Sequence, residues 1–334
     1  MRRKTVFITF PIILLVAIYF LGPTPHKNTW SPDLPAVPQQ PEELEKFVAA
    51  NEAKHVVKPD NEARIVWFDS TKQKTPYSVV YLHGFSASQE EGDPAHIDFA
   101  KKFGCNLYLA RLADHGVDTT EALLYFNGDR YYESAKEALM IGKAIGEKVI
   151  VMSTSSGGTV ALVLAAEFPN DVFSLINLAP NIAINSDIVW IANNPWGLQI
   201  ARQVRGGNYL VADDLAEERW PYWNQKYRLE AVSALQEMIE EKMNKSTFEK
   251  VKCPSLTLYY YKNDSLQDPT VKVSAMLEMN RELGTPADMK VEKSIPDAGA
   301  HVIGSAMTSK DLPAVEKAID DFAIEKLKMT PIQQ

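Results

Sequence analysis

Three serines crowd Ser153-Thr154-Ser155-Ser156, and Gly157-Gly158 follow at once. A serine is a poor nucleophile at neutral pH unless a neighbouring base takes its proton, so backbone setting and partners decide what the cluster can do. The apolar run Lys148–Met152 before it reads as a strand, and Gly158–Phe168 after it reads as a helix stopped by Pro169-Asn170. A strand-to-helix turn can hold a nucleophile in a strained conformation, with its oxygen pushed out above the sheet. The residues two before and two after must then be small, because strand and helix cross there at close range. Ser155 meets this condition with Ser153 and Gly157, whereas Ser153 would be flanked by Val151 and Ser156 by Thr154, both β-branched. Ser155 is the candidate nucleophile. A phosphate-cradling loop would need a Gly-Lys-Ser/Thr ending, which this stretch lacks. An ordinary Ser/Gly turn stands as the plain alternative unless partners exist.

Of the six histidines, only His301 follows the serine turn, in Pro296-Asp297-Ala298-Gly299-Ala300-His301. That matches the nucleophile–acid–base order of catalytic serine turns on such sheets, and makes His301 the candidate base. Tyr81-Leu82-His83-Gly84-Phe85 ends an earlier strand, and a glycine there lets the backbone approach a bound group. The Phe85 and Ser156 N–H groups are the candidate donors to an oxyanion. His83 and His115 read as loop-fixing residues rather than bases.

The elements that must position these residues alternate. Candidate strands are Arg64–Asp69, Ser78–Leu82, Asn106–Arg111, Lys148–Met152, Val172–Leu178, Leu256–Tyr261 and Met289–Lys293. Several are apolar throughout, as parallel strands covered on both faces are. Amphipathic stretches such as Tyr131–Ile145 and Val271–Leu283 lie between them, with Gly142 placed for close packing in the first. The pattern predicts an α/β fold: a mostly parallel central sheet flanked by helices, with right-handed crossovers. The interval from Pro180 to Ser255 far exceeds an ordinary connection and reads as an inserted helical cap over about residues 183–250. Its Trp190, Trp196, Trp220 and Trp223 are each ordinary core candidates, but together in an insertion they are expected to line an apolar pocket.

With these pieces assembled, residues 75–328 resemble the serine α/β-hydrolases of the carboxylesterase and monoacylglycerol-lipase type. The resemblance is carried by His83-Gly84-Phe85, Asp114-His115-Gly116, the turn at 153–157 and Gly299-Ala300-His301. It implies a Ser–His–Asp triad acting on carboxylic esters, an oxyanion hole, a cap over the site, and neither cofactor nor metal. Ser153 departs mildly from the family's first glycine. The acid stays open. Asp268-Pro269-Thr270-Val271 matches the family's pattern before a helix, while Asp264 has the better distance from its strand; Asp268 is preferred, Asp264 is the alternative, and Asp297 is a remote third. A thioesterase or peptidase could use the same triad, and a non-catalytic, membrane-tethered binding protein could keep the fold alone.

Composition bounds the rest. The 334 residues are 46% hydrophobic with a net charge of −8, which suits a folded body and argues against nucleic acid as a partner. Two cysteines, Cys105 and Cys253, are too few for a disulfide scaffold and read as buried thiols. Arg2, Arg3 and Lys4 precede the apolar run Val6–Leu21, expected over residues 1–22 as an uncleaved membrane anchor or a removed signal. Either way the body is expected outside the cytoplasm, anchored or, after cleavage, secreted or periplasmic. Residues 23–48 begin with Pro23, Pro25, Pro32, Pro35, Pro38 and Pro41 and read as an extended spacer before a catalytic domain at 49–334.

Overall fold

The computed structural model describes residues 14–212 and 215–332. Helix α1 (Pro41–Glu52) and strand β1 (Arg64–Val66) lead into β2 (Thr75–Leu82), α2 (Ala95–Phe103), β3 (Asn106–Leu109), α3 (Gly128–Ile145), β4 (Gly146–Thr154), α4 (Ser156–Glu167) and β5 (Val172–Leu178). The insertion holds α5 (Gly197–Arg205), β6 (Tyr209–Val211), β7 (Lys226–Arg228), α6 (Leu229–Lys242) and the short α7 (Lys245–Phe248). Then come β8 (Ser255–Tyr259), β9 (Tyr261–Asn263), β10 (Leu266–Gln267), α8 (Val273–Glu282), β11 (Lys290–Ser294) and α9 (Leu312–Glu325). Seven strands form one sheet in the order β1-β3-β2-β4-β5-β8-β11, parallel except for the antiparallel edge strand β1.

Successive side chains of a strand point to opposite faces, so an uninterrupted apolar run feeds two cores at once. In β2, Val80 and Leu82 enter one core while Val79 and Tyr81 enter the other; in β4, Val149 and Val151 oppose Ile150 and Met152. Helices α3, α4 and α6 cover the first face, and α2 and α9 the second. Gly142 of α3 is required by this packing, since a methyl group there would stand 2.4 Å from Val80 Cγ2. Helix α4 is apolar all round and buried along almost its whole length, as a helix enclosed on every side must be. Each Val or Leu it buries contributes roughly 1.5–3 kcal/mol. The register pairs Leu82 with Ser153 and Ser153 with Asn177, so the loops leaving β2, β4 and β5 emerge side by side.

Two expectations change, and a third lies partly outside the described residues. Residues 23–39, read as a spacer, have no regular secondary structure but lie along the body. The fully buried ammonium of Lys136 requires acceptors, and this strap supplies the carbonyls of Ser31 and Asp33 at 2.8 and 2.6 Å. The Trp30 ring packs at a tilt 5.3 Å from that of Tyr132 and its N–H donates to Glu241 at 2.9 Å, and α1 begins inside the supposed linker, with Pro41 at its first turn. Secondly, the insertion is not wholly a cap, nor wholly helical. The spacing of Ala231, Leu235, Met238 and Ile239 puts α6 into the main core, and β6 and β7 form an antiparallel ribbon. Thirdly, of the expected membrane segment, residues 1–13 lie outside the described residues. Residues 14–20 are helical, Trp196 Nε1 donating to Ile18 O at 2.9 Å, and no helix among the described residues is long and apolar enough to cross a membrane.

Candidate active site

Ser155 sits between β4 and α4 with φ 53° and ψ −121°, a conformation that costs a non-glycine residue about 1–3 kcal/mol. Its surroundings hold it there. Its N–H donates to Leu178 O at 3.1 Å, and its carbonyl accepts from Gly158 and Asn181 at 2.9 and 2.8 Å. The required smallness of the flanks is visible directly. A methyl group on Gly157 would lie 2.0 Å from Leu82 O, and one on Gly158 would lie 2.6 Å from Pro180 Cβ. Ser153 fits because its hydroxyl, buried in the crossing, donates to Asn177 Oδ1 at 3.0 Å.

Loops from two other strand ends bring the candidate base and a candidate acid together. His301, in the loop after β11, has its Nδ1 2.7 Å from Asp268 Oδ2. Asp268 is almost fully buried, and its other oxygen accepts from the N–H groups of Thr270 and Val271 at 2.8 and 3.0 Å. Burial by itself pulls the imidazole's proton affinity down. The attraction and hydrogen bond of Asp268 outweigh it, with a contribution from Glu91 against the opposing Arg219, and hold His301 above the ordinary histidine value. Nε2 of His301 is buried without a hydrogen-bond partner, and His301 and Ser155 line the same cavity. Asp264 does not join them. It is exposed near the turn between β9 and β10, where Tyr261 OH donates to it at 2.8 Å, and exposed Asp297 pairs with Lys262.

The turn after β2 reaches the site from its other side. Leu112 N–H donates to His83 Nε2 at 3.0 Å, so the proton of this neutral ring is on Nδ1, which donates to Gly84 O at 2.9 Å. Burial holds His83 well below the usual value, and it braces the turn instead of titrating. His115, its Nδ1 2.8 Å from Ala113 O, is likewise buried and lowered to about 4. Phe85 lines the cavity with its ring edge-on to Phe126 and Tyr227, and Ser156 opens α4, where the first N–H groups have no partner within the helix.

The cavity measures about 730 Å³, the size of a small-molecule site. Its walls are mainly apolar, including Ile184, Ile191, Ile200, Val204, Leu210 and Leu235. Only Trp223 of the four cap tryptophans lines it; Trp190, Trp196 and Trp220 are 53%, 37% and 41% exposed on the outside. An aromatic residue in an insertion signals burial or an apolar surface, not the side it faces. Sequence reasoning missed Glu91, Asn181, Arg219 and Tyr227, which also line the cavity. Glu90 and Glu91 stand side by side in the short turn Gln89–Gly92, and nothing in the sequence pattern marks one of them as buried. Both cysteines are buried thiols that burial pushes up to about 12. Among the described residues no cluster of His, Cys, Asp and Glu is arranged to hold a metal.

No family model and no curated protein matches the chain. Solved structures do. One, from work on LipS and LipT, two metagenome-derived lipolytic enzymes, superposes with a TM-score of 0.63 at 16% identity over 80% of this chain and 99% of its own. A monoacylglycerol lipase of Paleococcus ferrophilus superposes at 0.58 with 13% identity, covering 79% and 98%. A soluble variant of monoglyceride lipase from Saccharomyces cerevisiae, in complex with a substrate analogue, gives 0.59 at 13% over 80% and 91%. At such identities the likeness is one of fold.

Proposed function

We propose that this chain, which has the α/β-hydrolase fold, cleaves carboxylic esters with apolar acyl groups through Ser155, His301 and Asp268. The observation that carries the reading is the pairing of His301 Nδ1 with Asp268 at 2.7 Å beside a strained serine in one apolar cavity. Asp268 keeps the proton on Nδ1, which leaves Nε2 as the acceptor. Ser155 Oγ attacks the ester carbonyl as its proton passes to Nε2, and the charge formed on the carbonyl oxygen is met by the Phe85 and Ser156 N–H groups. The C–O bond then breaks, the leaving alkoxide takes the proton from Nε2, and an acyl-Ser155 remains. Water, deprotonated by the same nitrogen, releases the acid and restores the serine. The lipolytic neighbours and the apolar cavity wall support an ester with a hydrocarbon acyl chain.

Replacing Ser155 with Ala should remove about 10⁶-fold of p-nitrophenyl ester turnover, as loss of the nucleophile does in triad enzymes. Retained turnover sinks the mechanism. A binding protein on this fold would not react with a fluorophosphonate, whereas an activated Ser155 labels covalently. Thioester and peptide substrates run alongside the esters decide the leaving-group class. A location outside the cytoplasm belongs to the same proposal and rests on the basic start and apolar run of residues 2–21. Protease accessibility in intact cells tests it.

A further inference from the structure

The reaction above leaves one buried acid of the cavity without a task. Glu91, in the turn Gln89–Gly92, is 2% exposed and lines the cavity of Ser155 and His301. Its Oε2 accepts the Gly84 N–H. A methyl group on Gly84 would meet both Glu91 oxygens and Ser155 Cβ at 2.9 Å, so carboxylate and nucleophile flank a single glycine. Gly84 is thereby held at both polar ends, because His83 Nδ1 donates to its carbonyl. Tyr131 OH donates to the carbonyl just before it, that of His83, at 2.7 Å. The titratable and charged groups facing Glu91 are His301 from the loop after β11, Arg219 from the insertion, Tyr81 from β2 and Tyr131 from α3.

We propose that Glu91 is a positioning residue for the oxyanion turn: by accepting the Gly84 N–H it fixes the bend that presents Phe85, and its charge supports the proton that His301 carries during turnover. This rests on the serine-hydrolase reading. A carboxylate sharing a cavity with a developing oxyanion raises the barrier unless its charge is taken up. The Gly84 N–H, His301 and Arg219 do so here. Burial nonetheless pushes the Glu91 carboxyl up to about 7, and Glu91 is among the negative groups that hold His301 above the ordinary histidine value, so a charge change at either group is felt by the other. The arrangement gives His301 two negative neighbours, Asp268 by direct contact and Glu91 through space.

The test compares the full chain with Glu91→Gln and Glu91→Ala on p-nitrophenyl butyrate, following kcat, KM, the pH profile, fluorophosphonate labelling and melting. Glu91→Gln keeps an acceptor for Gly84 but no charge. The acid limb of kcat/KM should therefore move to lower pH, because His301 loses a negative neighbour. Glu91→Ala also loses the acceptor, and kcat should fall on the order of 10²-fold with little change in KM, as misplaced catalytic groups do. Should Glu91→Ala not fold, the pH limb of Glu91→Gln alone decides. Folded variants with the wild-type limb and wild-type kcat overturn the proposal while the hydrolase reading stands. A wild-type chain that neither turns over ester nor labels overturns both.

Discussion

The two sides of the cavity are built on opposite principles. On the sheet side, Ser155, Gly84, Asp268 and His301 are each tied by hydrogen bonds to a named backbone group or buried side chain, and two glycines next to the serine leave no room even for a methyl. On the insertion side, Ile200 and Val204 of α5 line the cavity while 47% and 76% exposed, and the residues share little beyond being apolar. Hydrogen bonds fix atoms to within fractions of an ångström, which proton transfer requires. Apolar walls fix only a volume, which is enough for a hydrocarbon chain. Substitutions on the sheet side should act on kcat, and those on the insertion side on KM and on acyl preference.

After loss of the nucleophile itself, the largest expected break is Asp268→Asn. An amide at this position reverses the hydrogen bond and puts the Nδ1 proton on the wrong nitrogen, costing about 10⁴-fold in kcat. The residual activity carries a second signature. Asp268 holds His301 above the ordinary histidine value, so the base becomes available only as pH rises past that raised value. Without the carboxylate the acid limb should move to lower pH. An unchanged limb would separate Asp268 from the base.

A smaller effect falls on stability. The Glu91 carboxyl is pushed from 4.5 to about 7 in the folded chain, so between those values the folded state holds a proton that the unfolded state has released. Stability from this group is complete below about 4.5 and is lost as pH rises through about 7. The loss amounts to about 3 kcal/mol at most. Glu91→Gln removes it, so melting curves should show the variant gaining on the wild type from pH 5 to pH 8. A gap between the two that does not change with pH would mean the carboxyl is not held neutral by burial.

How far the sequence discloses each side follows the same division. The serine turn is legible because its requirements are local: small residues at 153 and 157, a strand before and a helix after. The parallel sheet is legible because β2, β4 and β5 are apolar on both faces. Asp268 and Asp264 could not be decided from the sequence, because distance from the strand favours Asp264 and the following residues favour Asp268. The expected strand Leu256–Tyr261 stops at Tyr259, and Tyr261–Gln267 pairs with itself as β9 and β10, a local pairing that carries Asp264 outward. Glu91 and the strap at 23–39 depend on contacts outside any helix or strand period, Gly84 lying seven residues back across a tight turn and Lys136 more than a hundred residues off. Periodicity carries no trace of either.

The insertion side is sharpened by acyl length. Each methylene buried along the apolar wall contributes about 0.8 kcal/mol, close to fourfold in kcat/KM. Turnover should therefore rise from acetyl to at least butyryl or hexanoyl esters and level off where the cavity ends. Ala201→Trp, on the cavity-lining face of α5, shortens that space. It should lower kcat/KM for long-chain esters and leave butyryl within about threefold, since no hydrogen bond of the sheet side is touched. A steady fall from acetyl upward, or an equal loss at every chain length, would remove the distinction between the two sides.

The smallest expected effect is Asp264→Asn. Asp264 and Asp268 lie on one connection, four residues apart, and both could reach a histidine on a simple count from β8. Only environment separates them. Asp268 is almost fully buried, with two backbone N–H groups on one oxygen and His301 on the other, whereas Asp264 is exposed and accepts from Tyr261 OH and from no imidazole. Breaking one exposed hydrogen bond changes stability by about 0.5 kcal/mol or less. The amide oxygen introduced by Asp264→Asn can still accept from Tyr261, so kcat should stay within about twofold of wild type. The ratio between the two Asn variants, near 10⁴ by the values above, measures what burial beside His301 adds to a carboxylate. A large loss of kcat in Asp264→Asn, with Asp268→Asn close to wild type, would transfer the acid's role to the ribbon and require β9 and β10 to refold toward His301 in the working enzyme.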